Sequence, residues 1–283
     1  MYILFGAAIV AGSSALVAAR ATRRDRSVLN NGEPVASIPA GELAAELIRT
    51  ARRLKVHFYD GERRALDYAA AGRSDELAHL VQTACALRVM DLSSLDSRAR
   101  KLAFWINLYN ALTVHAIVAF KPAHSVWDTK GFFDRAAYNV GGYQFSLNDI
   151  ENGVLRANRP GPYSLRRPFS ARDPRRRFAL AEAEFDPRIH FALNCGSRSC
   201  PPIAFYDPEE IDRQLDLAAR AFVQGETQVR DGRIITSPIF NWYRGDFGGD
   251  VRGFLGRYLD PAVARQLAGK RVGFSRYDWS LNR

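Results

Sequence analysis

The chain has 283 residues, 47% hydrophobic and 25% charged, enough to bury a full core without disulfide or metal staples. This composition excludes wholesale disorder, collagen and coiled coils; three cysteines exclude a disulfide scaffold, and no internal repeat points to a solenoid or propeller. The net charge of +10 is concentrated: residues 1–26 carry +3 and residues 166–177 carry +5, leaving +2 for the rest.

Met1 to Ala19 has no charged side chain and is followed at once by RATRRDR. At ~1.5 Å per residue, a helix of this length spans a hydrocarbon core of ~30 Å. One expectation is an uncleaved membrane anchor, residues 1–19, with Arg20 to Arg26 on the cytoplasmic side. The other is a secretory signal with a small-residue cleavage site at Val17 and Ala19, releasing an exported domain. Residues 20–45, with Gly32, Pro34 and Pro39, read as a basic juxtamembrane stretch and linker, and residues 46–283 as one globular domain.

Leu43, Leu47 and Leu54 predict a helix over Ala40 to Phe58. Leu77, Leu80, Val81, Ala84 and Leu87 predict a second one, capped by Ser74, with Cys85 as a core cysteine on its apolar stripe. Ser97 to Phe120 is apolar nearly all round, as in a helix buried in the middle of a domain. Ser146 caps a predicted helix from Leu147 to Arg156, with Asp149 completing a capping box. Arg166, Arg167, Arg172, Arg175, Arg176 and Arg177 sit in a loop marked by Pro168 and Pro174. Without aromatics interleaved along a helix or sheet face, this cluster reads as a solvated or membrane-facing loop and argues against nucleic acid.

Farther on, Arg188 to Asn194 alternates as a strand, with Ile189, Phe191 and Leu193 on one face and His190, Ala192 and Asn194 on the other. Asp207, Pro208, Glu209 and Glu210 open a helix. Asp231 and Gly232 make a hairpin turn between Arg230 and Arg233. Phe254 to Tyr258 and Pro261 to Ala268 are closing helices, the latter stopped by Gly269. Long helices first and scattered strands later predict a single α+β domain. Its N-terminal half is helical around a long buried central helix, and its C-terminal half mixes strands and helices.

Two features could carry chemistry. On the central helix Asn107 and Asn110 share a face, with His115 about 80° round from Asn107. A buried unpaired amide costs about 1–3 kcal/mol, so these groups either cross-link the helix to a neighbouring loop or line a site. The stronger feature is DPRIHFALNCGSRSCPP, residues 186–202, where a predicted strand breaks into a loop holding Cys195, Gly196, Ser197, Ser199 and Cys200. In an extended strand His190 and Cys195 stand about 16 Å apart, so a histidine partner for the thiol would come from elsewhere, such as His115. Three readings stay open for the cysteines. They are a thiolate activated by a His or Arg198, a disulfide, expected only in an exported domain, and a metal site needing two ligands from elsewhere. No phosphate-cradling loop, nucleophile elbow or HExxH motif occurs, and nothing asks for a cofactor or metal.

Five ordered segments carry a likeness: AFWINLYNALTVHAI (103–117), FSLNDIENGVLR (145–156), DPRIHFALNCGSRSCPPI (186–203), SPIFNWYRGDF (237–247) and RYDWSLN (276–282). Together they resemble the family called domain of unknown function 547, from about residue 95 to residue 283. The resemblance implies a widespread domain, joined in some lineages to glutaredoxin-like and DEP domains, which adds weight to thiol chemistry. It places the family's pattern on Trp105, Asn107, Asn110, Asn148, Asp149, Glu151, His190, Asn194, Cys195, Cys200, Trp242, Asp246, Asp278 and Trp279. The resulting expectation is a membrane-associated, cysteine-dependent hydrolase or thiol transferase. Cys195 is its nucleophile, Cys200 a resolving thiol, His190 and His115 base or orienting groups, and Asn107 or Asn194 an orienting amide. Candidate binding residues are Trp105, Asn110, Asp149, Glu151, Trp242, Asp246 and Asp278. The alternative is a non-enzymatic binding or scaffolding domain with structural cysteines, its Arg166 to Arg177 loop meeting acidic lipid or a protein partner. Neither reading names a small-molecule or peptide substrate.

Overall fold

The computed structural model describes residues 26–33, 38–162, 164–230 and 232–283. The apolar segment 1–19, Arg20 to Asp25, Pro34 and the turn residue Asp231 lie outside the described residues. Ser27–Val28 forms a short strand, β1, and Ala40–Phe58 a helix, α1. A hairpin of β2 (Tyr59–Asp60) and β3 (Ala65–Leu66) leads through one turn, α2 (Tyr68–Ala71), to α3 (Asp75–Ala86). Ser74 caps α3 as expected, its Oγ accepting from the Leu77 N–H. The central helix α4 (Arg98–Phe120) starts where Ser97 accepts from the Arg100 N–H and stops at Lys121, whose φ of 50° leaves the helical region before Pro122.

Beyond α4 come α5 (Phe132–Arg135), β4 (Ala136–Val140) and β5 (Tyr143–Ser146). β1 runs parallel to β4, and β4 antiparallel to β5. Residues 27–28 are therefore part of the fold and not of a linker. Buried Asn30 fastens them by donating to the Ala84 and Asn139 carbonyls and accepting from the Asn139 N–H. Leu102, Trp105, Leu108, Tyr109 and Leu112 of α4 are all buried, because this helix has neighbours on every side. Among the described residues α4 is the one helix long and apolar enough to cross a membrane, and 83% of its apolar window is buried within the protein.

The helix after β5 is a π-helix, Asp149–Leu155, whose wider turn is continued by bonds from the Arg156 N–H to Glu151 O and from the Asn158 N–H to Gly153 O. Its capping box forms as expected: the Asp149 N–H donates to Ser146 Oγ at 3.1 Å, and the Ser146 N–H donates to Asp149 Oδ2 at 3.0 Å. The strand expected at Arg188 to Asn194 does not form. Asp186 accepts from the Arg188 N–H and Pro187 fixes the first turn, so Pro187–Phe191 is a short 3-10 helix. Its alternation serves two cores: Ile189 and Leu193 enter the one around α4, and Phe191 enters a second.

That second core is built by α6 (Ile211–Glu226), β6 (Gln228–Arg230), β7 (Arg233–Thr236), α7 (Ile239–Trp242), α8 (Val251–Tyr258), α9 (Pro261–Ala264) and β8 (Arg271–Phe274). β6 and β7 are antiparallel, β7 and β8 parallel. Its centre is aromatic, with Phe247 4.9 Å from Phe240 and 4.8 Å from Phe254 between ring centroids. The two cores meet at the 3-10 turn, giving the single α+β domain expected. Close packing also sets one glycine: a Cβ on Gly153 would lie 2.5 Å from Cζ of buried Phe169. In chemical denaturation Gly153→Ala should cost about 1–3 kcal/mol, and the penalty should shrink in a Phe169→Leu background.

Candidate functional site

α4 holds the cysteine loop by its amides. Asn110 Nδ2 donates to the Ala192 and Ala204 carbonyls, both at 2.9 Å, while its Oδ1 accepts from the Asn194 N–H. Asn107 clasps Tyr206 through both its N–H and its C=O, each at 2.7 Å. Asn194 donates to Pro201 O and accepts from the Gly196 N–H, closing the loop on itself. These amides cross-link backbone, so Asn107 and Asn194 do not orient a thiolate. Gly196 has φ +81°, and a Cβ on it would meet Ile117 Cδ1 of α4 at 2.4 Å, so the loop lies flat on the helix. Cys195 and Cys200 form a disulfide across this loop, and Cys85 is the free, buried cysteine.

The C-terminal segment then pairs along the loop. Arg198 and Ser199 N–H groups donate to Ser280 O and Asp278 O, and the Asn282 N–H donates to Gly196 O. This pairing delivers Tyr277, whose Oη lies 3.2 Å from Cys200 Sγ and 3.5 Å from Cys195 Sγ. Ser197 Oγ is 3.3 Å from Cys200 Sγ and 3.2 Å from Tyr277 Oη, and the Cys195 N–H donates to Cys200 Sγ at 3.0 Å. Burial pushes the Tyr277 phenol above its usual pKa, so it remains an O–H donor. Trp242 and Trp279 pack on the Tyr277 ring at 4.9 and 4.5 Å, and half-exposed Trp127 continues this aromatic row to the surface.

A second polar centre lies where the two cores meet. Asp246 accepts from Arg156 Nε at 2.6 Å and Nη2 at 3.0 Å, from Arg159 Nη1 at 2.9 Å and from His190 Nε2 at 2.8 Å. Burial would raise its pKa, but the bonds from His190 and Arg156 more than offset this and hold the carboxyl well below the usual range. Burial lowers the pKa of the His190 imidazole, against the pull of Asp246. The imidazole stacks on Tyr243 at 4.0 Å, and the Arg156 guanidinium lies 4.6 Å over the same phenol ring. Tyr243 Oη donates to Glu151 Oε1 at 2.6 Å, and Tyr109 Oη reaches Oε2 at 3.4 Å. Burial, with the Glu151 charge adding to it, pushes both phenols well above their usual pKa. A ladder along the π-helix supports Arg156: it donates to Asn152, Asn152 to Asn148, and Asn148 to Asp134.

The expected residues thus separate. Cys195, Cys200, Trp242 and the Asp278 segment surround the disulfide, while His190, Glu151 and Asp246 form the buried centre. His115 joins neither. It faces the β4–β5 sheet, with Nδ1 2.8 Å from Tyr138 Oη, and so does not act as base for a sulfur. Trp105 is 1% exposed and packs on Phe145, so it is core and not ligand-binding. Asp149 is buried between Arg26 and Arg175, and Asp278 is an exposed turn residue accepting from Ser280. Tyr109, Tyr243, Tyr277 and Arg156 are site residues the motifs contained but did not single out, and only Tyr109 carried a signal, a polar group within an otherwise apolar block. Within the arginine loop, Arg175 is tied to Asp149 and Asp173, whereas Arg166, Arg172 and Arg176 are exposed. Among the described residues no set of three or more His, Cys, Asp and Glu could hold a metal ion.

The sequence model of the family described as "Protein of unknown function, DUF547" matches residues 92–223. Three of the five motif segments fall within that span, and the segments at 237–247 and 276–282 lie beyond it. No curated protein and no solved structure matches the chain significantly. The fold also makes a pH prediction. Burial pushes His115 down to about 4, whereas an unfolded histidine titrates near ~6.5. Its contribution is therefore complete above ~6.5 and lost as pH falls toward about 4, a decline of about 3 kcal/mol. His115→Gln should flatten the stability profile in that window while leaving its alkaline side unchanged, as read by denaturation at a series of pH values.

Proposed function

The chain belongs to the DUF547 family, of unknown function, through residues 92–223, and we propose from its own geometry that Cys195–Cys200 is a thiol–disulfide exchange centre. The observation that carries this is a set of donors around the two sulfurs: the Cys195 N–H, Ser197 Oγ and Tyr277 Oη all lie within 3.3 Å of Cys200 Sγ, and Ser197 Oγ also lies 3.2 Å from Cys195 Sγ. Hydrogen bonds of this kind stabilise a thiolate and make its sulfur the better leaving group. Cys200 is 4% exposed, whereas Cys195 is only partly buried and is the sulfur an incoming thiolate can reach.

A substrate thiolate attacks Cys195 Sγ, the Cys195–Cys200 bond breaks, and its electron pair stays on Cys200 among the three donors. A second thiolate of the same substrate then attacks its own sulfur in the mixed disulfide and expels Cys195 as a thiolate. The substrate dithiol has lost two electrons, the pair has gained them, and a further disulfide-bearing partner restores the cystine by the reverse exchange. A cysteine hydrolase would need a free thiolate and a base beside it. Neither fits here, since His190 is committed to Asp246 and His115 to Tyr138. Exchange asks for no base beyond the substrate thiolate itself.

A cystine persists in oxidising compartments, and this supports export, with residues 1–19 as a signal, over an anchor that keeps Arg20 to Arg26 and the domain behind them in the cytoplasm. Equilibration in glutathione buffers tests the centre. A reduction potential above about −230 mV, with oxidation of a model dithiol peptide, is the expected result; a value below about −300 mV makes the cystine structural and returns the domain to a binding or scaffolding role. Offered a disulfide-bearing peptide, Cys200→Ser should trap a mixed disulfide through Cys195, because the thiolate that would displace the peptide is gone. Tyr277→Phe should lower the potential by about 30–60 mV, because a charge-assisted hydrogen bond contributes about 1.5–3 kcal/mol to the thiolate.

A further inference from the structure

The sheet of β6, β7 and β8 sets Arg230 opposite Arg233, and Arg233 opposite Arg271. Three adjacent strands therefore present an arginine at one level, an arrangement of like charges that costs a sheet stability. Arg271 also belongs to the wall of a cavity of about 360 Å³, together with Arg244, Arg252 and Lys270 and the partly exposed ring of Phe274. The carboxylate in this wall, Asp250, is already engaged as the cap of α8, accepting from the Gly253 N–H at 2.9 Å. Among the described residues, none of these six cations has an ion-pair partner. Elsewhere Arg98, Arg156, Arg175 and Arg188 each rest on a carboxylate.

We propose that this cavity and its arginine row form a binding site for a phosphate-bearing anion. Guanidinium forks match phosphate oxygens two at a time, and a multiply charged group neutralises several of these cations at once, which a single carboxylate cannot. A cavity of about 360 Å³ takes a small phosphorylated molecule or the headgroup of an acidic phospholipid. The repulsion along Arg230, Arg233 and Arg271 is relieved when the anion arrives, so the free protein gives up stability for a site that is electrostatically ready. The disulfide plays no part in this site, so its fate is independent of the exchange reading.

The test uses the full chain and two probes. Titration calorimetry with inorganic pyrophosphate at low salt should give saturable binding, weakened at least about tenfold in Arg244→Gln/Arg271→Gln and little changed in Arg166→Gln/Arg172→Gln, which removes equal charge from the exposed arginine loop. Sedimentation with phosphatidylserine-containing vesicles provides the second arm. Loss of vesicle binding in the first variant, without pyrophosphate binding by the wild type, identifies a lipid headgroup as the source of the phosphate. A third variant, Arg233→Gln, should weaken binding yet raise the melting temperature of the free protein at low salt, with the gain disappearing near about 0.5 M salt. Absence of saturable binding to either probe, or equal binding by the Arg244/Arg271 and Arg166/Arg172 variants, overturns the proposal.

Discussion

A helix buried on every side has to place its polar side chains, and Asn107 and Asn110 of α4 place theirs on the backbone of residues 192–206. Those five bonds fix the path of the loop relative to the core. The loop's flat approach depends on them as well: Gly196 lies against Ile117, on the same helix. The position of both sulfurs is thus inherited from the buried central helix. A loop gains definition in this way without needing secondary structure of its own.

The buried centre at Asp246 performs the corresponding task between the two cores. A lone carboxylate taken out of water would be costly, and here two guanidinium groups and an imidazole surround it. Tyr243 links this set to Glu151, stacking on His190 and lying beneath Arg156 while its hydroxyl bonds the carboxylate. The polar ladder through Asn148 and Asn152 ends on the same Arg156. Charge, stacking and helix geometry therefore support a single arrangement of side chains, as expected of a network whose every member has partners.

Helix boundaries were readable wherever a local device marks them. Ala40 to Phe58 follows from periodicity alone, α3 and α4 begin at the serines that cap them, and the capping box at Ser146 and Asp149 is present as expected. The strand read at Arg188 to Asn194 failed because an alternating pattern normally reports two faces of one sheet. Here it reports two hydrophobic cores on opposite sides of a turn that Asp186 and Pro187 impose. The same blindness applies to chemistry: Cys195 and His190 stood out by residue type, and Asp246 only as a position of the family pattern. Nothing along the chain tells that His190 faces Asp246 and not a sulfur, or that Tyr277 arrives beside Cys200. Those facts belong to the meeting of distant segments, over separations of 56 and 77 residues.

The latter separation has a consequence for the order of synthesis. Both cysteines leave the ribosome well before the tyrosine that lies against them, and the strand-like pairing of residues 278–282 with the loop is made from sequence translated later still. A cystine formed before the last segment is made therefore closes in a loop that lacks the Tyr277 hydroxyl and its cover. Only when the last segment docks do its sulfurs come under the influence of the phenol. Nascent and complete chains thus present the same two cysteines in different chemical surroundings.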